Sequence, residues 1–150
     1  TCGIIDGIKK FATVPKQFGL AISLHSAMQE KRNELMPGVK NFCLSDLKKS
    51  ILSYINTTNR RPTFEYLLIN GINDSAEDLD ALISFCKGML CHVNIIKFNN
   101  IPGSKFAPSP NATISHWIND LTNKGIEATL RASRGSDIDA ACGQLLNKNS

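Results

Sequence analysis

No stretch of this sequence approaches the roughly 20 consecutive apolar residues that a bilayer-crossing helix needs, so no membrane span is expected. Internal repeats and low-complexity linkers are absent, which sets aside collagen-like and disordered classes. Cysteine is scarce and odd in number, five in 150 residues, and no Cys-x-x-Cys pair occurs. That argues against a disulfide-stapled secreted scaffold and against a zinc site. The chain also lacks a Ser-His-Asp elbow, a P-loop and a GxGxxG turn. It opens at Thr1 with neither Met nor a charged-then-apolar leader, so it reads as a cytosolic chain and as a fragment.

What is present is ordinary globular material: 42% hydrophobic and 20% charged residues. Lys and Arg number 17 against 13 Asp and Glu, a net charge of +4 that leans only gently toward a polyanionic partner. Arg60–Arg61, Lys48–Lys49, Arg131 and Arg134 are the main basic clusters, suited to phosphate contacts or simply to solvent.

Short β-rich runs alternate with helix-period segments. Strands are expected at Gly19–Leu24, Pro62–Asn70, Cys91–Phe98 and Gly125–Arg131. Leu44, Leu47, Ile51, Tyr54 and Ile55 form an apolar helical stripe, with Ser45 and Asp46 favouring its first turn. Ser75 and Asp78 read as a capping box before Leu79, Leu82, Ile83 and Cys86. Thr113 is positioned to cap a helix carrying Ile114, Trp117, Ile118 and Leu121, which Gly125 stops. A weaker helix is expected over Ile5–Ala12. Such alternation argues for an α/β fold with about four parallel strands joined by right-handed crossovers, an open or partial barrel. Ligands of such folds sit at the carboxyl ends of the strands.

Several polar residues fall at those ends. His25 follows the apolar run Leu20–Leu24 with Ser23 two residues before it, which suits either a polar pair touching a ligand or a histidine capping loop carbonyls. Asn99 closes the third run and either reaches a cofactor's adenine or ribose or holds the turn before Pro102–Gly103. Glu65 stands inside an otherwise apolar strand, where a carboxylate needs a partner. A barrel-lining contact and a salt bridge to a neighbour such as Lys97 both meet that need. Cys86 belongs to an apolar stripe and reads as core. Cys142, flanked by small residues and by Arg131 and Arg134, reads either as a reachable, reactive thiol or as a passive small residue in a turn.

The segment Ser136–Asp137–Ile138–Asp139–Ala140–Ala141–Cys142–Gly143–Gln144–Leu145 resembles the C-terminal signature of the RlmN/Cfr family of radical S-adenosylmethionine RNA methyltransferases. Leu20–Ala21–Ile22–Ser23–Leu24–His25, Glu34–Leu35–Met36–Pro37, Thr63–Phe64–Glu65–Tyr66, Gly71–Ile72–Asn73–Asp74 and Val93–Asn94–Ile95–Ile96–Lys97–Phe98–Asn99 agree with it in order and spacing. The resemblance runs from Thr1 to about Leu146. It implies a partial (β/α) barrel of the radical S-adenosylmethionine type, of which residues 1–150 are a C-terminal part. It further implies methylation of carbon 2 or carbon 8 of an adenosine in 23S rRNA, the carbon-2 branch also acting on tRNA. By the same resemblance one S-adenosylmethionine methylates Cys142. A second, cleaved at a [4Fe–4S] cluster, gives a radical that activates the S-methyl group. Ser23, Leu24, His25 and Asn99 are the expected S-adenosylmethionine contacts. A reducing partner such as flavodoxin, a monomeric state and a cytoplasmic location are implied as well.

Pro102–Gly103 and Arg134–Gly135 resemble the carbon-2 branch more than the Cfr-like carbon-8 branch. The family's Cys-x-x-x-Cys-x-x-Cys cluster motif has no counterpart in these residues, so the cluster ligands are expected elsewhere and no metal ligand is assigned here. The resolving cysteine, the general base, the Gly-Glu segment and the N-terminal RNA-binding domain are likewise not matched, and Cys2 stands where the family often has Ser or Thr. Residues 1–150 alone are therefore expected to be inactive. A non-catalytic RNA-binding remnant and a thiol-redox protein built on Cys142 stand as the other readings.

Overall fold

Along Thr63–Leu68 burial alternates, with Phe64, Tyr66 and Leu68 covered and Thr63, Glu65 and Leu67 half-exposed. That period of two marks a strand with one face against a core. A computed structural model describes residues 1–15, 17–99 and 103–131 of the chain. In it four strands, β1 (Ala21–Ser23), β2 (Thr63–Leu68), β3 (His92–Lys97) and β4 (Glu127–Arg131), lie side by side in sequence order, all parallel. The expected α/β architecture is present. Each strand is shorter than its apolar run.

Helices α1 (Ile5–Ala12), α2 (Gln29–Leu35), α3 (Leu44–Thr58), α4 (Ala76–Cys86) and α5 (Asn111–Asn123) occupy the connections, with a single 3-10 turn at Pro37–Val39. α3 buries Leu44, Leu47, Ile51 and Tyr54 at helical spacing and ends on Asn59, whose φ of 52° is the left-handed conformation that asparagine tolerates. α4 starts as the sequence indicates: Ser75 and Asp78 exchange hydrogen bonds in a capping box. α5 departs from expectation. It begins at Asn111 behind Pro110, so Thr113 is inside the helix and does not cap it. A proline there presets the backbone at the helix mouth, and Gly125 (φ 75°) closes the far end.

One core lies between the sheet and its helices. Phe64 meets Phe85 edge-on at 5.6 Å between ring centroids, and Tyr66 tilts against Trp117 at 5.2 Å. Burying each such ring is worth roughly 2–3 kcal/mol. The opposite face of the sheet is not apolar. Register aligns Ser23, Glu65, Asn94 and Thr129 in one row across all four strands. Beside β1, the Thr1 carbonyl accepts from Ser23 N–H at 2.9 Å while Thr1 N donates to Ala21 O at 3.0 Å.

Candidate functional site

The loops at the carboxyl ends of β1 and β2 are tied together by side chains. β1 is only three residues long, yet β2 continues to Leu68, so on its β1 side the β2 backbone beyond Glu65 would lack a neighbour. His25 and Asn73 supply it. His25 Nδ1 accepts from Leu67 N–H at 3.1 Å, and Asn73 Nδ2 donates to Leu67 O at 2.8 Å. The same Asn73 amide nitrogen donates to His25 O at 2.7 Å, and Asn73 Oδ1 accepts from Ile69 N–H at 2.8 Å. Tyr66 completes the cluster by donating its hydroxyl to Asn73 O at 3.0 Å. Asn73 is fully buried, and every polar atom of its side chain is used.

This geometry settles how His25 can act. A backbone N–H pointing at Nδ1 requires a lone pair there, so the proton of the neutral ring is on Nε2. Burial lowers the histidine's pKa below 6.5, the neighbouring Arg32 lowers it further, and Glu65 opposes them. The imidazole is therefore a neutral donor through Nε2, for which no partner occurs among the described residues. His25 adopts φ 56°, which costs a non-glycine residue about 1–2 kcal/mol. The turn behind it is locked by Ser26, whose Oγ accepts from Met28 N–H at 3.0 Å and donates to Met28 O at 3.2 Å. Histidine thus caps a backbone amide through Nδ1, where one of the two sequence readings has it capping loop carbonyls.

The other expected site residues fall around it. Ser23 is half-buried on the polar face, in register with Glu65. Leu24 is fully buried; its N–H goes to Glu65 O at 3.0 Å and its carbonyl accepts from Ser26 N–H at 2.7 Å, so it anchors the strand end in the core. Asn99 is half-buried two residues beyond β3. Cys142 and the surrounding signature lie outside the described residues.

Glu65 does not pair with Lys97. Asn94 Nδ2 reaches both of its carboxylate oxygens, at 3.2 and 3.1 Å, and Arg131 Nη1 stands 3.6 Å away. Lys97 is three residues past Asn94 and so belongs to the other face, where it donates to Asn111 Oδ1 at 2.8 Å.

Two residues escaped the sequence reading. Asn73 stands in the sequence reading only as part of the stretch Gly71–Ile72–Asn73–Asp74, with no role of its own. Arg32 is fully buried, with Nη2 donating to Cys2 O at 2.8 Å and both Nε and Nη1 enclosed without partners. Burial depresses its pKa, as expected for a cation taken from water.

Cofactor fit can be tested on these atoms. The Ser23 hydroxyl and the Glu65–Asn94 pair share one row of the polar face, with the open Nε2–H of His25 two residues past Ser23, and they offer a polar ligand both donors and acceptors. Among the described residues no group of three His, Cys, Asp or Glu is placed to hold a metal ion. Cys2 and Cys43 are exposed and Cys86 and Cys91 are buried.

No family model matches the chain. It is 45% identical over 148 residues, 99% of its length and 43% of the relative's, to a Flavobacterium psychrophilum protein whose curated name is "Probable dual-specificity RNA methyltransferase RlmN". The crystal structure of a radical SAM methyltransferase from Sphaerobacter thermophilus superposes with a TM-score of 0.92 at 40% identity, over 96% of this chain and 42% of that one. A domain of the pyruvate-formate lyase-activating enzyme from Bacteroides vulgatus shares the fold at 14% identity, with a TM-score of 0.66 over 85% of this chain and 74% of that domain. The chain spans a little over two fifths of the length of the curated relatives it matches. Over nearly its whole length, this chain is an RlmN-like segment with the α/β fold of the radical S-adenosylmethionine methyltransferases.

Proposed function

We propose that this chain is the C-terminal part of the core domain of an enzyme that methylates carbon 2 of an adenosine in 23S rRNA and in tRNA. The observation that carries this reading is the joint one: 45% identity to an RNA methyltransferase relative across 148 residues, with Ser23 and His25 gathered at one strand end and Asn99 at another. In this reading Ser23, His25 and Asn99 hold S-adenosylmethionine. Nε2–H of His25 gives a hydrogen bond, because the Leu67 N–H at Nδ1 fixes the tautomer that carries its proton on Nε2. Leu24 keeps the strand end from shifting. Cys142 is the S-methylcysteine intermediate that carries the new methyl group to the base.

Bound S-adenosylmethionine supplies the methyl group, and an iron–sulfur cluster supplies the one-electron chemistry that activates it. The cluster's ligands lie outside the described residues, among which no group of three His, Cys, Asp or Glu could hold a metal ion. The whole protein then acts in the cytoplasm as a monomer, drawing electrons from a partner such as flavodoxin. The carbon-2 assignment rests on Pro102–Gly103 and Arg134–Gly135, and modification at carbon 8 is its alternative.

The test is methylation of rRNA and tRNA by the full-length protein with labelled S-adenosylmethionine, followed by mapping of the modified carbon. Cys142→Ala is expected to abolish labelling, and His25→Ala and Ser23→Ala to weaken S-adenosylmethionine binding. Residues 1–150 alone are expected to give no methylation. Turnover by that piece, or RNA binding with no S-adenosylmethionine binding by the full-length protein, overturns the reading.

A further inference from the structure

The polar face of the sheet holds a carboxylate that the assignments above do not use. Glu65 is the third residue of β2, faces away from the core and retains 18% side-chain exposure. It is the direct cross-strand neighbour of Ser23. Side chains opposite one another on adjacent strands are about 5 Å apart at Cβ, so a ligand touching Ser23 is within reach of Glu65. The carboxylate is aimed and not consumed. One amide nitrogen, Asn94 Nδ2, spans both oxygens, and Arg131, with 60% side-chain exposure, is a long 3.6 Å partner at the rim. An ionised carboxylate has about four acceptor sites, so lone pairs remain toward the open face. His92 Nε2 and Thr129 Oγ1, 3.0 Å apart, engage each other along the same face, where Glu127 is engaged by Arg61, so Glu65 is the carboxylate of the row that it forms with Ser23, Asn94 and Thr129.

We infer that Glu65 is a binding residue for the hydroxyls of a ribose, held in place by Asn94 and working beside Ser23. The chemistry is that of the acidic side chain which takes a ribose hydroxyl in dinucleotide-binding folds: a carboxylate accepts from an O–H in a charge-assisted hydrogen bond. The inference rests on the cofactor reading of Ser23 and His25. A ribose reaches this face from S-adenosylmethionine or from an RNA nucleotide, and the experiment separates the two.

Dissociation constants are measured for the full-length protein and its Glu65→Gln and Glu65→Asp variants, with thermal melting as a check of folding. The probes are S-adenosylmethionine, its 2′-deoxy and 3′-deoxy analogues, and a target RNA hairpin with or without a 2′-deoxyadenosine. Loss of a hydrogen bond to a charged acceptor predicts roughly tenfold or greater weakening of S-adenosylmethionine binding in Glu65→Gln. The variant is also expected to lose most of its discrimination between the parent and one deoxy analogue, while Asn94→Ala gives a smaller loss. Discrimination lost only for the hairpin supports the same carboxylate–ribose contact with RNA as the source. Unchanged discrimination in both arms, in variants that melt normally, overturns the proposal and leaves the Ser23–His25 site standing. Failure of the unmodified protein to bind S-adenosylmethionine overturns the site reading, and this proposal with it.

Discussion

Leu67 gives its backbone N–H to the imidazole Nδ1 of His25, 3.1 Å away and 42 residues earlier in the chain. A side chain here takes the place of a missing strand residue, and the chemistry of the histidine follows from it. Removing the ring in His25→Ala strands a half-buried amide, at a cost of about 1–3 kcal/mol. Urea denaturation measures it.

The same contact fixes a pH dependence. The folded protein keeps His25 neutral below its ordinary value of 6.5, while the unfolded chain protonates there. Unfolded protein therefore binds more protons in that window, and stability falls as pH drops below about 6.5, levelling off below the depressed folded value. His25→Ala is expected to flatten this part of the stability curve.

Arg32 contributes to that depression, second to burial. Arg32→Met, of similar reach and without charge, is expected to raise the His25 pKa while leaving it below 6.5, since burial persists. An NMR titration of the imidazole reads this directly. The variant also frees the Cys2 carbonyl, so faster amide exchange is expected near Thr1–Gly3.

Asn73→Ala removes three side-chain hydrogen bonds from a fully buried position and leaves Ile69 N–H, Leu67 O and His25 O unpaired. The expected loss is about 3 kcal/mol or more. Asn73→Asp keeps the acceptor for Ile69 but forfeits both donated bonds, and it should also destabilise.

At the start of α4, Asp78 is fully buried, bonded to Ser75, and reached by Lys31 Nζ at 2.7 Å. Ser75→Ala is expected to cost about 1 kcal/mol as a lost cap. Lys31→Met should cost more, because it leaves a buried carboxylate without its cation. Chemical denaturation of the two single variants and the double variant checks the order.

The sheet, α1, α3 and α4 were legible because their core faces are apolar at the period of the element. α2 was not, and the reason is physical: its buried residue is Arg32, so its inward face carries no hydrophobic signal. The start of α5 was misplaced because proline at the mouth replaced the usual side-chain cap. Ser23 and His25 could be placed at a strand end from sequence, whereas the roles of Asn73 and Glu65 depend on register and on contacts between loops far apart in the chain.

The borrowed acceptor at Leu67 has one more consequence. An amide in the middle of a backbone ladder exchanges with solvent only when the strands part, but this one is released whenever the imidazole swings away. Leu67 is thus a built-in reporter at the strand end: its deuterium uptake follows the motion of one side chain while its neighbours in β2 stay protected.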